Sequence, residues 1–120
     1  MRMMLRVRIN TASGNEAIKS GTMAKLIGDF TERAKPEAAY FTVDNGQRTA
    51  FFFFDMKESS LMPLLAEDMF MSLGAELHFT PVMNADELKA GLAAFMEPNK
   101  FQINIHGLTE RQGQGGEDGA

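Results

Sequence analysis

The stretch AAYFTVDNGQRTAFFFFD, residues 38–55, constrains the fold more than any other part of the chain. Asn45-Gly46 is a favoured pair for a two-residue hairpin turn, because both central positions of that turn take positive φ. The flanks are rich in aromatic and β-branched residues, which suit a pleated, half-buried surface. A turn at 45–46 fixes the register. Asp44 faces Gln47, Val43 faces Arg48, Thr42 faces Thr49, Phe41 faces Ala50 and Tyr40 faces Phe51. Side chains alternate along a strand, so one face carries Phe41, Val43, Ala50, Phe52 and Phe54. The other carries Tyr40, Thr42, Thr49, Phe51, Phe53 and Asp55. The four consecutive phenylalanines therefore serve two different layers.

Around this hairpin the patterns switch between period two and helical spacing. MLRVRIN sets Leu5, Val7 and Ile9 against Arg6 and Arg8, as a half-buried strand does. SGNE follows, read as a capping box with Ser13 as cap and Glu16 reaching back. Ile18, Met23, Leu26, Ile27, Phe30 and Ala34 then predict one helix over about residues 15–34, stopped by Pro36. After the hairpin, Leu61, Leu64, Leu65, Met69 and Leu73 mark a second helix, with Ser59 or Ser60 as cap and Gly74 at its end. ELHFTPV reads as a strand. NADELKAGLAAFMEP reads as a third helix, capped by Asn84 with Glu87, carrying Leu88, Leu92 and Phe95 inward and stopped by Pro98. KFQINIH alternates again and suggests an added strand at about 100–106; ERQGQGGEDGA, within 109–120, has nothing to bury and is expected to be disordered.

The resulting order, strand–helix–strand–strand–helix–strand, is that of a ferredoxin-like α+β sandwich: an antiparallel sheet of order 4-1-3-2 with helices on one face. With 120 residues the chain is expected to form a single domain over 1–108. The helix-facing layer should hold Leu5, Val7, Ile9, Phe41, Val43, Phe52, Phe54, Leu77 and Phe79. The opposite layer should hold Arg6, Arg8, Tyr40, Thr42, Phe51, Phe53, His78 and Thr80. Aromatic rings on adjacent sheet positions would expose on the order of several hundred Å², the size at which a patch usually marks an interaction site. A second subunit, a ligand or the C-terminal segment could cover it; two sheets packed face to face are the commonest answer in homo-oligomers, so a homodimer through this face is expected.

The hairpin, the following SLMPLLAEDMFMSLGAELHFTPVMNADELKAGL and the element order together resemble the dimeric α+β barrel superfamily, in particular its small bacterial members. The resemblance covers roughly residues 3–96. It implies a dimer whose two sheets close into a barrel. It also implies, for an enzyme member, cofactor-free isomerase or monooxygenase-like chemistry on a small aromatic or cyclic compound held between sheet and helices. No catalytic residue of that superfamily matches this chain position by position, so no catalytic residue is assigned. The alternative is a non-catalytic dimerisation or regulatory module whose sheet face is filled by its twin.

The residues nominated for ligand binding are Arg6, Arg8, Tyr40, Phe51, Phe53 and His78. An arginine fork suits carboxylate or phosphate; in the expected sheet Arg6 lies near Asp55, and Arg8 nearer His78 and Phe53. The bland reading of both arginines is an ion pair or a stack on an aromatic ring. His78 and Tyr40 have the chemistry for acid–base work and hydrogen bonding, against which stands a satisfied interface histidine. Ten methionines invite comparison with an adaptable binding surface, though core filling explains them as well. Two histidines without ligand spacing, and no cysteine, argue against a metal site, and no cofactor is expected. Nucleic acid is not expected as a partner. The net charge is −4, Arg6 stands where an RNA-recognition strand needs an aromatic residue, and Arg48 and Thr49 replace the glycines of that motif. No window approaches the ~18 apolar residues of a membrane helix. The amino-terminal MRMMLRVRIN is too charged for a signal peptide, so a cytoplasmic protein without membrane association is the default expectation.

Overall fold

Asn45 and Gly46 take φ of 54° and 75°, and the turn they form joins β2 (Ala38–Asp44) to β3 (Gln47–Asp55) in the register read from the sequence, Tyr40 against Phe51 through Asp44 against Gln47. The structure is a computed structural model, and it describes residues 1–97. Before the hairpin come β1 (Arg2–Arg8), α1 (Thr11–Ser20) and α2 (Thr22–Ala34); after it come α3 (Leu61–Leu73), β4 (Glu76–Pro81) and α4 (Ala85–Met96). The strand expected at about 100–106 and the tail at 109–120 lie outside the described residues.

The four strands form one antiparallel sheet of order β2-β3-β1-β4, which is 4-1-3-2 read from the other edge. An α+β chain with this sheet is compatible with a ferredoxin-like fold. It divides into two compact units, Met1–Val82 and a second beginning at Met83. In the first unit the core lies between one sheet face and α1–α3. Met3, Leu5, Val7 and Ile9 from β1 and its end, and Phe52 and Phe54 from β3, meet Leu26 and Phe30 of α2 and Leu65, Met69 and Leu73 of α3. Phe30 packs on Phe52 with ring centroids 4.4 Å apart and edge-on to Phe54 at 5.8 Å. Each fully buried ring of this kind contributes roughly 1.5–3 kcal/mol of transfer free energy.

Three expectations are corrected. The helix foreseen over 15–34 is two helices, because Gly21 (φ 84°, ψ −1°) ends α1 with its N–H on the Ile18 carbonyl and begins α2. The Thr22 N–H donates to Ser20 Oγ across the break at 3.3 Å. The first helix also starts earlier than a Ser13 cap requires. Asn10 is the cap, its Oδ1 accepting from the Ser13 N–H at 3.0 Å. Finally, Phe41 and Val43 point to the helix side of the sheet yet are 61% and 71% exposed. They sit on the edge strand, and the helices cover the inner strands instead.

The second unit is described by α4, which the expected capping box starts. The Glu87 N–H donates to Asn84 Oδ1 at 2.8 Å, and the Asn84 N–H donates to Glu87 Oε1 at 2.7 Å. Replacing Asn84 by alanine should lower the helicity of this segment, with a cost of about 1 kcal/mol. Backbone chemical shifts of residues 84–90 report it; unchanged helical shifts would count against the cap.

Candidate functional site

The sheet face away from α1–α3 holds all six nominated residues. Strand pairing sets Tyr40, Phe51, Arg6 and His78 in one row across the four strands. On one side of it runs the row Ala38, Phe53, Met4 and Thr80; on the other runs Thr42, Thr49, Arg8 and Glu76. Met4, Phe51 and Phe53 are half-buried, Tyr40 and His78 exposed, and the rings of Tyr40 and Phe53 meet edge-on at 6.5 Å.

Arg6 is not beside Asp55, as the sequence had suggested. The β1–β3 register puts Phe51 opposite Arg6 and Asp55 opposite Arg2. Arg6 lies between Phe51 and His78; its Nε is buried without a hydrogen-bond partner, and among the described residues no carboxylate pairs with it. Arg8 pairs with Thr49 and Glu76, four positions along β1 from the Phe53 row. Its Nη2 donates to Asp44 Oδ2 at 2.9 Å, and its Nη1 lies 3.7 Å from Glu76 Oε1, an oxygen also 3.7 Å from His78 Nε2. Two carboxylates therefore neutralise Arg8, whereas Arg6 has no carboxylate partner among the described residues.

Asp55 belongs to a separate surface cluster. Lys57 Nζ and the amino group of Met1 each lie 2.8 Å from its carboxylate, and the Lys57 hydrogen bond leads in lowering its pKa to about 2. Because the folded pKa is lowered, whatever stability this cluster contributes is present above the ordinary aspartate range. It is lost as pH falls through about 2. A carboxyl NMR titration should find the Asp55 midpoint near 2, moving up towards the ordinary value in Lys57→Gln. A midpoint unmoved by that change would contradict the pairing.

On the other side of the sheet lies a cavity of about 220 Å³, between the β2–β3 edge and the helix pair α1–α2. Its apolar walls are Ile9, Ile18, Met23, Ile27, Phe41 and Ala50. Thr42 and Thr49 border it through their strand positions, while the buried Thr49 side chain belongs to the opposite face, its hydroxyl donating to the Gln47 carbonyl at 3.1 Å. The charged residue of the lining is Arg48, whose Nη2 donates to Asn15 Oδ1 at 3.0 Å. Gly14 makes room for this guanidinium: a Cβ there would stand 2.8 Å from Nη1. None of the six nominated residues lines this cavity.

No family model, no curated protein and no solved structure matches the chain. The site must therefore be read from its own residues. Among those described, no group of three or more His, Cys, Asp or Glu side chains is arranged to hold a metal ion, and no helix is long and apolar enough to cross a membrane. Arg48 is the residue that sequence reasoning passed over as a site. The signal was present: stepping back by two from Phe54 through Phe52 and Ala50 reaches Arg48, a cation on the helix-facing side.

Proposed function

We propose that the protein is a small-molecule-binding homodimer, in which each subunit holds a small hydrophobic or aromatic compound in the helix-side cavity and the opposite sheet faces meet across a two-fold axis. The observation that carries the binding reading is the cavity itself. Its volume of about 220 Å³ exceeds the ~150 Å³ of an engineered apolar cavity that admits benzene. That is room for one substituted ring or a short branched chain, a size that agrees with the compounds held by enzymes of the superfamily this chain resembles. No histidine, carboxylate or tyrosine lines the cavity among the described residues, which favours binding over turnover there. The row Tyr40–Phe51–Arg6–His78, with Met4 and Phe53 beside it, supports assembly on the other face. That face presents apolar rings together with charges of both signs, a composition that can complement itself across a two-fold axis.

Methyl-labelled protein titrated with toluene tests the binding reading. Expected shifts concentrate on Ile9, Ile18, Met23 and Ile27. Replacing Ile18 by tryptophan should suppress them without unfolding the chain, since Ile18 stands at the rim and is 52% exposed. Shifts elsewhere, or none, would count against the cavity as the ligand site.

A further inference from the structure

Arg48 projects from β3 into the layer that also holds Ala50, Phe52 and Phe54. The residue is half-buried and its hydrogen bond to Asn15 is solvent-exposed, so its charge stays hydrated until a ligand covers it. Here no carboxylate pairs with Arg48 among the described residues, and its hydrogen-bonded side-chain partner is the neutral Asn15 amide oxygen. A guanidinium has five N–H donors in a fixed fork, so most of its donor capacity is left for another acceptor. The cavity beside it is walled by Ile18, Met23, Ile27 and Phe41, and no acidic residue lines it to repel an anion.

We infer that the ligand of this cavity is a small apolar monoanion, an aromatic or branched aliphatic carboxylate, whose charged end is held by Arg48. The inference rests on the cavity being the ligand site. The planar fork matches a carboxylate in bidentate geometry, and the hydrocarbon body fills the apolar space behind it. A single cation suits a monoanion better than a phosphate dianion, which would keep an uncompensated charge against apolar walls. Gly14 has a part in this: it lets the guanidinium lie against α1, where any larger residue would displace it.

The test compares phenylacetate with phenylacetamide, which differ in charge and hardly in shape, by calorimetry and by the methyl shifts of the cavity residues. Phenylacetate should bind about tenfold tighter or more, the scale of one charge-assisted hydrogen-bonded pair, and this advantage should shrink as sodium chloride is raised. Arg48→Gln should remove the advantage and leave phenylacetamide binding unchanged, while Arg48→Lys should keep part of it. Should Arg48→Gln fail to fold by circular dichroism, the lysine variant and the salt series in the unaltered protein decide. If phenylacetamide binds and phenylacetate binds no tighter, the anion inference is overturned and the cavity reading stands. If neither ligand moves the cavity methyls, both are overturned.

Discussion

Phe52→Ala should lower the unfolding free energy by about 3–5 kcal/mol, the usual cost of truncating a fully buried ring. Phe52 is wholly inaccessible, packs on Phe30 at 4.4 Å and meets Phe41 edge-on at 5.8 Å. It sits on β3 against Leu5 of β1, so its removal opens a void that two strands and α2 share. Phe41→Ala, two strands from β1 on the same side of the sheet, should cost far less, because Phe41 is 61% exposed. Urea denaturation of both variants checks the pair of expectations. Equal losses would mean that the edge strand is covered in solution and that the core extends to it.

Phe53→Lys should dissociate the proposed dimer while leaving the subunit folded. Phe53 is half-buried on the sheet face away from α1–α3, opposite Met4 and next to Tyr40. A lysine there can lift its ammonium to water in the monomer, but between two apposed sheets it would be an unpaired buried charge. Breaking a buried interaction in that way costs about 3–5 kcal/mol, and two-fold symmetry places the defect on both subunits. Lysine is a sharper choice than glutamate, since Arg2 and Arg6 flank Met4 on β1 and would offer a carboxylate a partner. The expected outcome is a monomeric variant with a native-like circular dichroism spectrum. A variant that stays dimeric would place the interface elsewhere.

These two neighbouring rings show what was legible in the sequence. The hairpin and its alternation were readable because a two-residue turn leaves one register open. The element order, the Asn84 cap and the Gly74 stop were readable because caps depend on local chemistry alone. The neighbour of Arg6 was not, since the β1–β3 pairing is non-local and no turn pins it. The Gly21 break left a trace that periodicity over a long window averaged away: the step from Ile18 to Met23 is five residues, too long for one helical face. Alternation put Phe41 and Val43 on the correct side but could not say whether a helix lies above an edge strand. Arg48 was legible as a helix-side cation. That no carboxylate reaches it depends on how α1 packs, which only the folded chain displays.

Light scattering coupled to size exclusion, on the full chain at micromolar concentration, tests most directly the proposal that the sheet face away from α1–α3 is an interface. The expected mass is about 27 kDa, twice the 13.3 kDa of one chain, falling to the single-chain value for Phe53→Lys. A mass of one chain for the unaltered protein would contradict the assembly outright.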